Sequence, residues 1–289
     1  MRQLLSNSLR RLVNKPEPSR YARGTREAVV VAVATVKGGV GKTTTAVNLA
    51  CGLAALRGLR VLLVDLDAQG HCATSLRAHM PSEPVAEAVS EILLAEDRRQ
   101  LLDAVVSAQV PGLDITPADA GLAEAEGRLG QKIGKELLLR DALSITRTHY
   151  DVVIIDCPPN KGNLTLNALL AADQVLVPAD LSPLAIQGAA ELLETALVVR
   201  ERLNHPLGVL GVLLTRVDGR TSAMNEAIRG EIREAWDALL LPVEIGVNTQ
   251  LARAQHEGQH IFAYDPRSRG AQHYEALVDE VIARLRPRA

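Results

Sequence analysis

Short runs of apolar residues alternate with longer segments of helical periodicity along most of the chain. The clearest run covers 28–34 and is too short for a typical helix, and a Gly-rich turn and a helical pattern over 42–56 follow it. Four further apolar runs predict strands, at 61–64, 152–155, 174–177 and 209–214. Strands that alternate with helices form parallel sheets covered on both faces. We therefore predict an α/β fold with a doubly wound, mostly parallel sheet.

Residues 83–148 and the C-terminal segment differ from this simple alternation. Residues 83–148 are less regular, and their pattern predicts helices over 85–95, 98–107 and 124–148 around a short strand over 113–116. Near the C-terminus, six apolar residues at helical spacing form a stripe with acidic flanks: Tyr274, Leu277, Val278, Val281, Ile282 and Leu285. Such a stripe is typical of a helix packed on a core, not of a basic helix on a membrane.

Composition narrows the class of protein. The chain has 289 residues, of which 47% are hydrophobic, and this predicts a single domain over 28–289. No apolar run approaches the roughly 18 residues that span a bilayer, and no signal sequence is recognisable, so we expect a cytoplasmic protein. Cys51, Cys72 and Cys157 predict neither a disulfide framework nor a zinc site. Aromatic residues are only 2% of the chain, which argues against base stacking on single strands.

Residues 1–27 differ from the rest. They lack a strand pattern and contain Pro16 and Pro18, and the first 26 of them carry a net charge of +6 in a chain whose net charge is −2. We predict a basic, mobile N-terminal arm over 1–27. We expect this arm to help in binding DNA or to contact a partner. A membrane-surface helix is the less favoured alternative, although apolar residues between positions 4 and 13 could share one face.

A Gly-rich segment joins the first predicted strand to the first helix: Lys37-Gly38-Gly39-Val40-Gly41-Lys42-Thr43-Thr44. Backbone N–H groups and a helix N-terminus converge on an anion at such a junction, so the segment predicts a phosphate loop that binds ATP. Lys42 is expected to bind the β- and γ-phosphates, and the Thr43 hydroxyl to ligate Mg²⁺. The alternative, a chance Gly-rich turn, is disfavoured by the strand–loop–helix context.

Carboxylates end two of the predicted strands. Asp65 and Asp67 are one residue apart, so both side chains point to one side at the carboxyl edge of the sheet, where ligands bind. Asp156 follows the strand over 152–155 and is predicted to hold Mg²⁺ through water. The alternative for Asp67 is a cap of the following turn.

The loop departs from the ordinary Walker A pattern, which has glycine where this chain has Val36 and needs no lysine at position 37. It resembles the deviant Walker A loop of the ATPase family that contains ParA, Soj, MinD and the nitrogenase iron protein. The resemblance implies a P-loop NTPase fold and ATP hydrolysis. It also implies that Lys37 reaches across a dimer to the partner's nucleotide, that Asp67 positions the attacking water and that Asp65 lies near the metal. Lys37 and Asp67 are thus the predicted catalytic residues.

Blocks from about Val29 to the C-terminus resemble ParA and Soj more than the other members, among them Asp218-Gly-Arg220-Thr. The resemblance implies an ATP-bound homodimer, nonspecific binding of duplex DNA, a ParB-like partner that accelerates hydrolysis, and a nucleoid-associated location. Arg220 is the predicted DNA-binding residue. For Arg216, Arg229 and Arg233, contact with phosphates remains open, because interleaved acids also fit a solvated helix.

The chain departs from the family pattern at Ala68, at His71, at 245–248 and at Arg253, and the last two belong to a region that borders the base and the partner. The predicted function is an ATP-dependent switch that positions chromosome, plasmid or protein-complex cargo. Two alternatives stay open: a metabolic ATP-dependent ligase or kinase, and a membrane-associated MinD-like ATPase. A binding module with a degenerate site is disfavoured, because the predicted catalytic and phosphate-binding residues are all retained.

Overall fold

One eight-stranded sheet runs through the part of the chain that the computed structural model describes, residues 21–81, 85–97, 99–218 and 223–285. The strand order is β3-β4-β2-β5-β1-β6-β7-β8, and all neighbours are parallel except β3 and β4. The strands are β1 (Val29–Val33), β2 (Val61–Asp65), β3 (Val106–Ser107), β4 (Leu113–Thr116), β5 (Val152–Asp156), β6 (Gln174–Asp180), β7 (Gly208–Val217) and β8 (Leu240–Gly246). The predicted single α/β domain with a mostly parallel sheet is confirmed.

Helices cover both faces of the sheet. In the described residues they are α1 (Lys42–Arg57), α2 (His71–Ser75), α3 (Val89–Leu94), α4 (Gly121–Leu129), α5 (Leu138–Leu143), α6 (Asn163–Ala171), α7 (Pro183–Arg202), α8 (Ala223–Trp236), α9 (Thr249–Glu257), α10 (Ile261–Tyr264) and α11 (Arg269–Leu285). Val31 and Val33 pack with α1 and α11, whereas Val30 and Ala32 pack with α6 and α7. Because both faces are buried, the strands have continuous apolar runs rather than alternating patterns.

The strand order brings the candidate site together. β5 lies between β2 and β1, and in this register Asp156 is level with Asp65 on one side and with Val33 on the other. The phosphate loop follows β1, so the loop and the carboxylates after β2 and β5 meet at one edge. This edge is where parallel α/β sheets bind ligands.

Several helices predicted for 83–148 are wrong. In place of a helix over 98–107, the described chain forms a 3₁₀ turn at Leu101–Ala104 and strand β3, because Val106 pairs with Ile115 of β4. The helix predicted over 124–148 is divided into α4, α5 and two 3₁₀ turns. Gly134 has a φ of 70°, a left-handed conformation that interrupts a helix.

The C-terminal third adds an edge strand that the sequence pattern did not predict. β8 contains Pro242, which lacks an N–H group and is tolerated at the edge of a sheet. The predicted core-facing stripe of α11 is confirmed, since Tyr274, Leu277 and Val281 are buried. None of the described helices is long and apolar enough to span a membrane.

Part of the predicted N-terminal arm can be described. Gly24 N–H donates to Thr148 Oγ1 at 2.8 Å, and Arg26 forms an ion pair with Asp151 at 3.0 Å. These contacts attach residues 24–26 to the segment that precedes β5. Residues 1–20 lie outside the described residues, so the role of the arm remains a prediction.

Candidate functional site

The phosphate loop, residues 37–44, connects β1 to α1. Gly39 and Gly41 have φ values of 80° and 85°, a left-handed backbone that disfavours any residue with a Cβ atom. Gly41 is the N-cap of α1; no side chain caps this helix, and its first turn has no acidic residue. The first N–H groups of α1 can therefore bind an anion, which the helix dipole also favours.

Lys42 and Thr43 both bond to Asp156. Lys42 Nζ donates to Asp156 Oδ1 at 2.8 Å, and Thr43 Oγ1 donates to Asp156 Oδ2 at 2.7 Å. Burial disfavours the charged form of Lys42, but the Asp156 carboxylate outweighs it and raises the lysine pKa. The ammonium is therefore held charged at the start of α1, where phosphates are expected.

Asp65 is fully buried and fixes the loop after β2. Its two oxygens accept the backbone N–H groups of Asp67 and Cys72, each at 3.0 Å. Burial, followed by the charge of Asp156, raises the pKa of Asp65 to about 7 against the lowering effect of those bonds. The close approach of two buried carboxylates creates an excess of negative charge that a cation would relieve.

Cys72 belongs to this cluster and was not predicted as a site residue. Its Sγ lies 3.4 Å from Asp156 Oδ2, and the ligand atoms of Asp65, Cys72 and Asp156 all lie within 4.8 Å of one another. Sequence offered one weak signal, its position seven residues after Asp65 on the short helix α2. Burial raises the pKa of the thiol well above its usual range.

The donor set fits Mg²⁺. Hydroxyl and carboxylate oxygens are the protein ligands that this ion prefers, and Thr43 Oγ1 and Asp156 Oδ2 are in contact. A Mg²⁺ ion held here would neutralise negative charge on the phosphates. Thr43 and Asp156 are the residues that would hold it, while Asp65 adds charge from the neighbouring strand end.

Asp67 lies in the turn after β2, beside Lys42. One oxygen accepts the Gln69 N–H at 3.2 Å, so the side chain does cap the following turn. The other oxygen lies 3.8 Å from Lys42 Nζ, and the residue is 8% exposed. The turn therefore orients a carboxylate toward Lys42.

Lys37 has different partners from Lys42. Its Nζ donates to Ser182 Oγ at 2.7 Å and lies 3.5 Å from Asp180 Oδ1, at the junction of β6 and α7. Neither Asp180 nor Ser182 was predicted as a site residue, because neither belongs to a recognisable motif. The phosphate loop thus carries one lysine beside the buried carboxylates and one at its outer edge.

A cleft of about 600 Å³ extends from the phosphate loop along the end of β8. Its lining includes Lys42, Thr43 and Asp67 and the mostly apolar segment that runs from the end of β8 into α9. That segment includes 245–248, the region that departs from the family pattern. The size and polarity of the cleft fit a nucleotide, with phosphates inside and the base outside.

The arginines near β7 and α8 have different surroundings. Arg216 donates to the Gly39 carbonyl at 2.8 Å, and Arg229 forms a partly buried ion pair with Glu244. Arg233 and Arg253 are exposed. Arg220, the predicted DNA-binding residue, lies outside the described residues.

Comparison with known proteins identifies the family. Residues 28–209 match a family model described as an AAA domain. The chain is 41% identical over 254 residues to the sporulation initiation inhibitor protein Soj of Bacillus subtilis, covering 88% of this chain and 98% of Soj. The chain belongs to the ParA/MinD family of ATPases. It is also 40% identical over 261 residues to the chromosome partitioning protein ParA of Caulobacter vibrioides, covering 90% and 96% of the two chains.

A solved structure supports the same assignment. Cobyrinic acid a,c-diamide synthase from Mycobacterium smegmatis, with bound ADP and magnesium, is 35% identical, with a TM-score of 0.70 over 87% of this chain and 93% of that chain. The predicted family, P-loop NTPase fold and ATPase activity are confirmed. The relatives of this ParA/MinD-family ATPase include a chromosome partitioning protein.

Proposed function

We propose that this chain is a dimerising ATP switch that binds duplex DNA without sequence preference and releases it after hydrolysis. Such a cycle would position chromosome, plasmid or protein-complex cargo on the nucleoid, in the cytoplasm. ATP and Mg²⁺ occupy the cleft, with residues 37–44 around the phosphates. A ParB-like partner accelerates hydrolysis. The placement of Lys37 is the observation that carries this proposal.

Lys37 lies at the open edge of the phosphate loop, where a neighbouring molecule can approach it. Its ammonium is bonded to Ser182 and Asp180, and its side chain is 29% exposed, whereas the Lys42 side chain is 8% exposed. A lysine at the open edge of a phosphate loop can reach nucleotide bound by an adjacent subunit. There it would stabilise the charge that develops on the transferred phosphoryl group.

Apolar surface near the same edge supports a dimer. Leu184 follows Ser182 on α7 and is 68% exposed, and Val247 lines the cleft and is 65% exposed. Exposed apolar side chains grouped around a binding site are typical of surfaces that another molecule covers. A second copy of this chain, facing the first across two nucleotides, would cover both.

The decisive experiment uses Asp67→Ala, which is expected to bind ATP and not hydrolyse it. Binding to arbitrary duplex DNA is measured with ATP and with ADP across a salt series. We expect ATP-dependent binding that weakens steeply with salt, because phosphate contacts release counterions. Arg220→Glu should abolish this binding, and Arg128→Glu, an exposed arginine on α4, should not.

Other results would overturn the proposal. Equal binding with ATP and ADP would remove the switch, and an absence of binding would remove DNA as the surface on which it travels. Binding to anionic vesicles in place of DNA would favour the membrane-associated alternative. The dimer is tested separately by light scattering: ATP should double the mass of Asp67→Ala, and Lys37→Ala in that background should stay monomeric.

A metabolic enzyme is the second candidate, favoured by the 35% identity to the M. smegmatis synthase. Its signature would be ATP consumption that depends on cobyrinic acid and a nitrogen donor and is indifferent to DNA. The same assay distinguishes the two functions. The switch should hydrolyse ATP slowly whether or not cobyrinic acid and a nitrogen donor are added, until a stimulating partner is supplied.

A further inference from the structure

Three buried side chains from different elements converge beside the phosphate loop. Asp65 ends β2, Asp156 ends β5 and Cys72 lies on α2, and the ligand atoms of all three lie within 4.8 Å of one another. The sequence predicted no zinc site, because two of these ligands come from the ends of separate strands and no ligand spacing reveals them. A Mg²⁺ ion prefers oxygen ligands, so the thiol of Cys72 would have no part in holding it.

The position of the thiol fits a different kind of ion. Zinc binds thiolates at about 2.3 Å and carboxylate oxygens at about 2.0 Å, which places a sulfur and an oxygen about 3.5 Å apart around one tetrahedral ion. Cys72 Sγ lies 3.4 Å from Asp156 Oδ2, so this pair already has the separation that such an ion requires. Each oxygen of Asp65 accepts one N–H group and keeps a second lone pair, so Asp65 can supply a third ligand atom.

The charges of the cluster also fit a divalent ion. Two carboxylates and a thiolate carry three negative charges, of which the Lys42 ammonium, bonded to Asp156 Oδ1, balances one. A divalent ion would balance the other two. Lys42 contacts Oδ1 of Asp156, whereas Cys72 contacts Oδ2. An ion bound at the thiol would therefore use Oδ2, the oxygen that Thr43 also contacts and that would hold Mg²⁺.

We propose that Asp65, Cys72 and Asp156 form a site for a thiophilic divalent ion of the zinc class, which inhibits the ATPase by excluding Mg²⁺ from Asp156. Binding forms a metal–sulfur bond and releases the thiol proton to solvent. The ion reaches the cluster from the cleft, past Lys42 and Thr43, which line the cleft and contact Asp156. Bound ATP with Mg²⁺ covers this route, so the two occupancies exclude each other. The proposal rests on the family's ATPase activity and not on the proposed DNA switch.

The test detects the metal–sulfur bond directly. Co²⁺ is the first probe, because its bond to a thiolate gives a charge-transfer absorption band in the near ultraviolet that oxygen and imidazole ligands do not give. Nucleotide-free wild type should develop this band with Co²⁺, and Zn²⁺ should abolish it by displacing the cobalt. The Kd for Zn²⁺ is then measured by competition with a chromogenic chelator. Cys72→Ala should lose the band and raise this Kd by about tenfold or more.

Cys51→Ala is the matched control. Cys51 is equally buried, on α1, and does not belong to the cluster, so this variant should keep the band and the wild-type Kd for Zn²⁺. Circular dichroism and thermal unfolding show whether each variant is folded. A further measurement needs no variant: a saturating, nonhydrolysable ATP analogue with Mg²⁺ should suppress the cobalt band of the wild type.

Several results would overturn the proposal. The absence of a band in the wild type would show that the thiol binds no metal, and a band that persists in Cys72→Ala would assign it to another cysteine. A band that the ATP analogue leaves unchanged would separate the ion from the nucleotide site. Hydrolysis is measured with buffered free Zn²⁺, relative to each protein's rate without it: Zn²⁺ should inhibit wild type and Cys51→Ala alike, and Cys72→Ala less. Equal inhibition of all three would show that Zn²⁺ acts elsewhere or by binding ATP.

Discussion

Lys42 Nζ lies 2.8 Å from Asp156 Oδ1, and the two residues are 7% and 0% exposed. The two opposite charges balance each other inside the protein. We propose that, with ATP and Mg²⁺ bound, Lys42 would contact phosphates in place of the carboxylate and Asp156 would help to hold the metal. Because both groups are buried, removing one alone leaves an uncompensated charge in the interior.

Lys42→Ala should therefore affect stability as well as binding. We expect the free energy of unfolding to fall by about 3 kcal/mol, since Asp156 is left buried beside Asp65. ATP binding should be lost. Urea unfolding and calorimetry measure the two effects, and the double variant Lys42→Ala/Asp156→Asn should regain most of the stability but no binding. ATP affinity close to wild type in Lys42→Ala would refute the assignment.

The sequence predicted most of the central fold because both faces of the sheet are buried. Runs such as 61–64 and 152–155 are apolar throughout, and helices separate them, so strand type and parallel direction followed. The pattern failed where local signals conflict with tertiary pairing. Val106 joins β4 only because the chain turns back to it, and Pro242 obscured an edge strand.

The candidate site was predictable wherever a motif carried its own geometry. Lys42, Thr43 and Asp156 are in contact, as a phosphate loop and a strand-ending carboxylate require. Cys72, Asp180 and Ser182 were missed, because their proximity depends on strand order and on the position of α7. Arg216 was considered for DNA, and its left-handed backbone, with a φ of 53°, has no signal in sequence.

Gly41→Ala and Gly38→Ala form a matched pair on the phosphate loop. Gly41 has a φ of 85°, so alanine there should destabilise the chain by about 1 kcal/mol and distort the start of α1. A Cβ at Gly38 meets nothing within 4 Å, and its φ is not left-handed, so alanine should be tolerated in the nucleotide-free chain. Thermal unfolding checks both, and equal destabilisation would contradict this account.

The bonds of Lys37 should oppose dimerisation. Asp180 and Ser182 hold its ammonium within its own subunit, so Asp180→Ala should release it. The pair is partly exposed, so the dimer Kd with ATP should fall by up to about fivefold, measured in the Asp67→Ala background. Asp97→Ala, another exposed ion-pair partner, is the control. A weaker dimer would instead assign Asp180 to the interface.

His260 should make stability depend on pH. Burial, followed by the charge of His79 whose ring lies 5.0 Å away, lowers the pKa of His260 to about 4. Between pH 6.5 and 4 the unfolded chain binds more protons at this position, so stability is lost as pH falls. The loss between pH 7 and 5 should be about 2 kcal/mol.

His260→Phe keeps an aromatic ring beside Phe262 and removes the titrating group. Urea unfolding at pH 7 and pH 5 should show a smaller loss of stability for this variant than for wild type, by about the same 2 kcal/mol. His256→Gln changes an exposed histidine and should keep the wild-type dependence. Equal pH dependence in wild type and His260→Phe would show that His260 titrates normally.

Arg229 and Arg233, both on α8, should differ in their effects on stability and on DNA binding. The guanidinium of Arg229 is paired with Glu244, and Arg229 NH2 lies 3.0 Å from Glu244 Oε2, so its charge is already balanced. Arg233 is exposed, one turn along the helix. Arg229→Ala should lower stability and leave the salt dependence of DNA binding unchanged. Arg233→Ala should reduce by about one the slope of the logarithm of the DNA-binding constant against the logarithm of the salt concentration.

Glu244→Ala provides the reverse test. This variant frees the charge of Arg229 from its ion pair, and DNA affinity should therefore increase. A loss of DNA affinity in Arg229→Ala with no loss of stability would place Arg229 in the DNA contact instead.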